Sequence, residues 1–154
     1  MSFLPARASA TGELSPTDEE KRDFVCFLVE RTRYALPLER VERVVRMVLI
    51  TPALDRPDWI AGVVNVQGGL LPVVDLRKRL GVPRREPELS DRLLIVSGAK
   101  GLFCLLADSV ERIIRTPKSR VAPSGQEGEG PGLSLAHIRD ESGIVTVLNA
   151  DGLL

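Results

Sequence analysis

One block of the chain occurs twice, and this limits the folds that the chain can adopt. Residues 34–46 (YALPLERVERVVR) align without a gap against residues 103–115 (FCLLADSVERIIR), at a constant offset (110 − 41 = 69). Each block follows an apolar run and a polar turn. The alternative is that the two blocks are not a true repeat, because any strand followed by an amphipathic turn gives a similar pattern. The spacing is too long for many adjacent solenoid units, so we expect two copies of one β unit packed face to face.

Short apolar runs separated by turn residues predict mainly β structure. Three hairpins are expected, from Phe24–Val29 with Tyr34–Leu38, from Ile60–Val66 with Leu70–Val74 around a Gly68-Gly69 turn, and from Leu133–Ile138 with Ile144–Leu148. The i, i+3, i+4, i+7 spacing of Val41, Val44, Val45 and Val48 predicts a short helix. Residues 75–81 predict another, with Asp75 as its N-cap and Gly81 at its end.

The charge balance argues against nucleic-acid binding. The chain has 21 basic and 21 acidic residues, whereas a nucleic-acid binder normally gathers a basic excess on one face. The basic runs at 77–79 and 84–85 are interpreted as solvated faces.

The cysteines and the apolar segments are typical of a cytoplasmic protein. Cys26 and Cys104 each lie in an apolar run, which favours buried reduced thiols over a disulfide or a metal pair. Residues 1–22 lack the apolar core of a secretory signal and predict a flexible tail. The longest uncharged stretch, 59–74, is shorter than the ~20 residues of a spanning helix. Residues 82–90 predict a linker that divides two subdomains, and 123–132 a flexible loop.

Catalytic and cofactor motifs are missing from the sequence. His137 is the single histidine, so a histidine metal cluster is impossible, and the cysteines lack metal-binding spacing. His137 is interpreted as an ordinary surface or half-buried residue. The glycines of 125–132 come with Glu127 and Glu129 and without lysine, so they do not form a phosphate loop. We therefore expect no catalytic residues, no metal and no cofactor.

The segment 62–77 (GVVNVQGGLLPVVDLR) strongly resembles the central motif of CheW-like domains, Gly-Val-x-Asn-Leu-Arg-Gly-x-x-x-Pro-Val-x-Asp-Leu-Arg. Other pieces of that family agree in order and spacing. They are the strand at Phe24, the Tyr-Ala-Leu-Pro-Leu strand at Tyr34, the Val41 turn and the block at 107–110. The resemblance covers about Phe24 to Leu154, and 23–154 is expected to form the domain.

This resemblance implies two small five-stranded β-barrel subdomains, interleaved and packed on a shared hydrophobic core. It implies a non-enzymatic cytoplasmic adaptor that couples the cytoplasmic tips of methyl-accepting chemoreceptors to a CheA-type histidine kinase. In that family the receptor contact lies near the groove between the subdomains, and the kinase contact uses barrel ends. Neither nucleic acid nor direct membrane insertion is expected.

Two departures from the family pattern coincide with expected contact positions. Gln67 replaces the arginine of Asn-x-Arg-Gly, and Arg43 stands where an acid is often found, with Glu42 shifted beside it. Replacing arginine by glutamine removes both a positive charge and a bidentate hydrogen-bond donor from this position. The candidate partner-binding residues are Val41, Arg43, Gly62, Asn65 and Gln67. The hypothesis is an adaptor with a divergent receptor contact; a CheW-like kinase regulator that does not couple receptors is the alternative, and a small β-barrel enzyme or ligand-binding protein is a third.

Overall fold

The structure, a computed structural model, describes residues 20–83, 85–123, 133–141 and 143–154. Strands and two short helices make up most of these ranges. The strands are β1 Lys21–Val29, β2 Thr32–Pro37, β3 Val41–Arg46, β4 Ile60–Val66, β5 Gly69–Asp75, β6 Arg92–Gly98, β7 Gly101–Ala107, β8 Ser109–Pro117, β9 Val121–Pro123, β10 Ser134–Asp140 and β11 Gly143–Leu148. The helices are α1 Leu76–Leu80 and α2 Ala150–Leu153, and single 3-10 turns cover Leu38–Arg40 and Lys118–Arg120.

All three predicted hairpins are present. β1 pairs with β2, β4 with β5, and β10 with β11, each antiparallel. The β4–β5 turn is displaced by one residue from the prediction, because Gly69 pairs with Val66 and the turn consists of Gln67 and Gly68. Both turn residues have positive φ, 50° and 86°. Such a turn suits the right-handed twist of paired strands.

The strands form two sheets that exchange one hairpin each: the six-stranded sheet contains β1–β2 from the first half of the chain, and the five-stranded sheet contains β6–β7 from the second half. The six-stranded sheet has the order β8-β1-β2-β11-β10-β9, and the five-stranded sheet has the order β3-β6-β7-β5-β4. After the β1–β2 hairpin the chain leaves for the other sheet, where β3 pairs with β6. After the β6–β7 hairpin it returns, and β8 pairs with β1. Neither sheet can therefore form in full without a hairpin from the other half of the chain.

The pairing registers confirm the repeat. Val41 pairs with Val96 in one sheet, and Val110 pairs with Phe27 in the other, so both partners shift by 69 (110 − 41 and 96 − 27). A second offset relates the other hairpins: Ile60 pairs with Val74 and Ser134 with Leu148, a shift of 74 in both strands (134 − 60 and 148 − 74). The duplicated unit thus includes more than the block visible in the sequence.

The helix predicted from the valine spacing at 41–48 is wrong, because Val41–Arg46 is strand β3. The register of β3 shifts against β6 between Val41 and Arg43, as at a β-bulge. The shift turns Val41 toward the core between the sheets and Val45 toward the interior of its own sheet. The bulged strand thus directs Val41 and Val45 toward two cores, whereas Val44 and Val48 are exposed, so the four valines do not form the single buried face that a helix would need.

Three apolar clusters stabilise this arrangement. One lies within the six-stranded sheet and includes Phe24 and Ile138, and one lies within the five-stranded sheet and includes Leu93 and Cys104. The largest lies between the sheets and draws on both. The predicted class is confirmed: the fold is mainly β, with two sheets of six and five strands on a shared core.

The predicted helix cap is also confirmed. The Asp75 carboxylate accepts a hydrogen bond from the Arg77 amide (3.1 Å), and Gly81 closes α1 with φ 75°. Asn149 caps α2 in the same way, by accepting from the Asp151 amide (3.1 Å). The predicted tail lies outside the described residues up to position 19, and β1 contains its last two residues. The predicted loop at 123–132 lies outside them from position 124 onward.

Candidate partner-binding surface

The two end strands of the five-stranded sheet meet at the candidate site. β3 and β4 lie at opposite ends of the strand order. Yet the Arg43 guanidinium on β3 donates a hydrogen bond to Gln67 Oε1, in the turn after β4, at 2.5 Å. Thr51, which follows β3, also exchanges two backbone hydrogen bonds with Val63 on β4 (2.9 and 2.8 Å). The sheet therefore curls until its ends touch, as a barrel does.

Arg43 and Gln67, the two residues that depart from the family motif, are thus partners of one another. Both are exposed, and the pair lies on the protein surface. The sequence indicated each position separately, but β3 and β4 are brought together only by the closure of the sheet.

Asn65 shapes the same turn. Its side-chain Oδ1 accepts a hydrogen bond from the Gly68 amide at 3.0 Å, which supports the left-handed backbone of Gln67 and Gly68. The side chain is exposed and is opposite Leu70 on β5, which is 69% exposed. Arg43, Asn65, Gln67 and Leu70 form what we call the mouth surface, a mixed polar and apolar patch at one end of the barrel.

Gly62 and Val41 lie apart from the mouth surface. Gly62 is buried, and a Cβ there would lie 2.2 Å from the Thr51 carbonyl oxygen. It therefore permits the close approach of the segment after β3. Val41 is half-buried and packs against the core between the sheets. An effect of either residue on a partner would be transmitted through the position of β3 or β4.

An ionic network that the sequence did not indicate lies where β7 passes into β8. Arg77 donates to both carboxylate oxygens of Asp108 (3.1 and 2.8 Å) and to Glu30. Arg85 bridges Asp108 (2.9 Å) and the buried Asp91 (2.8 Å). Burial lowers the pKa of Arg77, but its hydrogen bonds to Glu30 and Asp108 outweigh burial and raise it. Hydrogen bonding to Asp91 raises the pKa of Arg85.

The interpretation of 77–79 as a solvated face is therefore wrong. Arg77 is only 7% exposed. Arg79 stacks on the Trp59 ring at 4.3 Å and donates to the carbonyl oxygen of Gly152 (2.7 Å). The Asp-Leu-Arg ending of the motif was the sequence feature that could have indicated this network. The Asp75 cap binds the Arg77 amide, and the Arg77 side chain reaches Asp108 between β7 and β8.

The two thiols are buried and unpaired, as predicted. Burial, followed by a hydrogen bond to Glu111, raises the pKa of Cys26 to about 11, and burial alone raises the pKa of Cys104 to about 11.

His137 is half-buried on β10, also as predicted. Within the described ranges no group of three or more His, Cys, Asp or Glu side chains is placed to hold a metal ion. No helix in those ranges is long and apolar enough to cross a membrane.

Comparison with known proteins identifies relatives over nearly the whole length. The chain is 30% identical to the protein FrzA of Myxococcus xanthus over 139 residues, covering 87% of this chain and 86% of FrzA. It is 21% identical to the chemotaxis protein CheW of Helicobacter pylori, covering 99% of this chain and 93% of that protein. The crystal structure of the scaffolding protein TtCheW from Thermoanaerobacter tengcongensis superimposes with a TM-score of 0.81 at 24% identity, covering 87% of this chain and 92% of that one.

The model of the CheW-like domain matches residues 23–154. That range includes both exchanged hairpins, the shared core and the mouth surface. The chain therefore belongs to the CheW-like domain family.

Proposed function

We propose that this chain is a non-enzymatic cytoplasmic adaptor of chemosensory signalling, which couples chemoreceptor tips to a CheA-type histidine kinase. Its membership of the CheW-like family supports an adaptor role. The names of its relatives, which include several chemotaxis proteins CheW, support a role in chemosensory signalling. The absence of catalytic and cofactor motifs from the sequence agrees with a protein that works by binding.

The contact between Arg43 and Gln67 is the observation that carries the receptor half of this proposal. In the family pattern an acid is often found at the first position and an arginine stands at the second. In this chain Arg43 on β3 supplies the guanidinium and Gln67 in the turn supplies a neutral amide. The Arg43 guanidinium donates a hydrogen bond to Gln67 Oε1 at 2.5 Å. The positive group of the site is thus retained, but it lies on the opposite strand, where Arg43 forms no ion pair with a residue that the structure describes.

This reversal changes the electrostatics that a partner meets. An acid and an arginine would give the site no net charge, whereas Arg43 with Gln67 gives it one positive charge. A receptor that complements this chain should therefore present an acidic group to β3. Charge complementarity at an interface contributes more to specificity than to affinity, so a conventional receptor would be discriminated against.

Exchanging the two positions tests this proposal. Binding of the full chain to the cytoplasmic fragments of its own receptor and of a conventional receptor is measured for wild type, Arg43→Glu, Gln67→Arg and the double variant. Gln67→Arg alone places two guanidinium groups together, so we expect binding to weaken by roughly tenfold, or about 1.4 kcal/mol. The double variant restores the family polarity and should bind a conventional receptor better than wild type does. A non-zero coupling energy in the cycle would show that the pair acts as a unit.

Arg46→Glu is the matched control, because Arg46 is exposed on the same strand and is outside the mouth surface. It should leave receptor binding unchanged. If Gln67→Arg and the double variant bind as wild type does, the divergent receptor contact is refuted.

Kinase activity separates the adaptor from the alternative. In a reconstituted mixture of receptor, kinase and this chain, an adaptor makes kinase activity respond to receptor state. A chain that binds the kinase and leaves its activity insensitive to the receptor would instead be a kinase regulator. That result would refute coupling while leaving the family assignment intact.

A further inference from the structure

The outer face of the six-stranded sheet carries a groove for which the proposed receptor contact provides no role. It has a volume of about 400 Å³ and crosses β9, β10 and β11. Its lining consists of Arg120, Ala122, His137, Arg139, Ile144 and Thr146. By the 74-residue offset, Arg139 and Ile144 correspond to Asn65 and Leu70 of the mouth surface. The two sheets thus present related surfaces, and this one carries more positive charge.

The charges of the groove are partly uncompensated. At one end Arg112 forms an ion pair with Asp140 at 3.3 Å, and Glu141 is exposed beside it. Arg120 and Arg139 are exposed and make no ion pair within the described ranges. Together with the half-buried His137 they form a surface suited to an acidic segment, with the exposed Ile144 as an apolar element.

An acidic part of this chain begins next to the groove. Glu20 is the first described residue, and its carboxylate pairs with Lys118 Nζ at 3.0 Å while its carbonyl accepts from the Lys118 amide at 3.2 Å. Lys118 begins the 3-10 turn Lys118–Arg120, whose last residue lines the groove. The preceding stretch 13–19 has the sequence ELSPTDE and contains three acids and no base.

The stretch is long enough to reach across the groove. Seven extended residues span about 23 Å, whereas the two strand spacings from β9 to β11 amount to roughly 10 Å. Charge complementarity and the point at which the described chain begins therefore indicate the same occupant. We propose that residues 13–19 of this chain bind in the groove formed by Arg120, His137 and Arg139.

Intramolecular binding of this kind has a functional consequence. With residues 13–19 bound, the exposed basic and apolar groove of the six-stranded sheet is occupied, so an acidic partner binds there only by displacing them. Because the tail is tethered at Glu20, its effective concentration at the groove is high even if its intrinsic affinity is weak.

Paramagnetic NMR of the full chain tests the proposal. A nitroxide label is attached to Ser15→Cys, and the native thiols are shielded because Cys26 and Cys104 are each 0% exposed. We expect selective broadening of the amides of His137, Arg139 and Thr146. The selectivity should be lost in Arg120→Gln/Arg139→Gln and in 0.5 M NaCl, since salt screens exposed charges.

Arg46→Gln/Arg92→Gln is the matched control, because it removes the same charge from the five-stranded sheet, where Arg46 pairs with Arg92. It should leave the broadening unchanged. Broadening that persists in Arg120→Gln/Arg139→Gln would refute the proposal. The proposal would also be refuted if the amide signals of the groove changed in Glu127→Gln/Glu129→Gln but not in Asp18→Asn/Glu19→Gln. Residues 124–132 would then be the occupant of the groove.

Discussion

At the scale of single residues, the close approach at Gly62 is the sharpest steric constraint. The Thr51 carbonyl oxygen would lie 2.2 Å from a Cβ at this position, and it belongs to backbone that cannot rotate away. We predict that Gly62→Ala destabilises the protein by about 2–3 kcal/mol, measured by urea unfolding. Gly68→Ala, where nothing lies within 4 Å of the Cβ, is the control and should cost only about 1 kcal/mol for its positive φ. Equal losses for the two variants would contradict this explanation.

Asp108 joins the two arginines of the ionic network. Its carboxylate neutralises Arg77, whose side chain is 9% exposed, and also binds Arg85. We predict that Asp108→Asn lowers the free energy of unfolding by about 2 kcal/mol, because it leaves buried positive charge less compensated. Asp23→Asn breaks a pair with Arg115, whose side chain is 70% exposed, and should cost less than about 0.5 kcal/mol. Denaturant titration of both variants compares a partly buried pair with a surface pair.

The raised pKa values of Cys26 and Cys104 predict slow and pH-dependent thiol chemistry. With each pKa raised to about 11, few thiolates exist at pH 8, so alkylation of the folded protein should be much slower than in urea. Folding favours the protonated thiols, a contribution that is complete below the ordinary pKa of 9.0 and is lost as the pH rises to about 11. Stability should therefore fall across that window. Alkylation at pH 8 as fast as in urea would show that the thiols are accessible.

At the scale of secondary structure, the two helix caps are equivalent parts of the duplicated unit. Asp75 and Asn149 are related by the 74-residue offset (149 − 75), and each accepts a hydrogen bond from the amide two residues later (3.1 Å in both cases). We predict that Asn149→Ala costs about 1 kcal/mol in urea unfolding, whereas Asn149→Asp costs little because Asp75 performs the same task. An equal loss in both variants would mean that the Asn149 side chain has another role.

The strands β3 and β8 show where local pattern and tertiary structure conflict. Apolar spacing predicted a helix at 41–48, since i, i+3, i+4, i+7 is the period of a helix face. β-branched valines favour a strand, and the bulge lets Val41 and Val45 face different clusters. Val110 and Ile114 on β8 repeat this division. A sequence window cannot distinguish a helix from a bulged strand that faces two cores.

At the scale of the whole molecule, strand exchange couples the two sheets. Each sheet contains one hairpin, two strands, from the other half of the chain, and the largest cluster draws on both sheets. We predict a single unfolding transition. Leu93→Ala, within the five-stranded sheet, should cost about 3 kcal/mol and lower hydrogen-exchange protection in β10 and β11 of the other sheet by the same free energy.

Ile138→Ala makes the corresponding change inside the six-stranded sheet. It should lower the free energy of unfolding by the same amount whether this is measured by Trp59 fluorescence or by hydrogen exchange in β6 of the other sheet. Protection in β10 that stays at the wild-type level in Leu93→Ala would show that the sheets unfold independently.

The sequence by itself determined the features that depend on neighbouring residues. The three hairpins, the Asp75 cap and the left-handed Gly81 are readable locally, because turns and caps are formed by a few consecutive residues. The 69-residue repeat is readable because the same local pattern occurs twice in the sequence. The long motif at 62–77 also identified the family, and with it the fold class.

Only the tertiary structure decided which distant groups meet. The strand exchange, the burial of Arg77 against Asp108 and the contact between Arg43 and Gln67 each join segments that are 24 or more residues apart. Such contacts depend on how a sheet curls and which edge a strand joins, and no local propensity encodes either. For this reason the sequence indicated Arg43 and Gln67 as separate departures, while the closed sheet shows them to be one site.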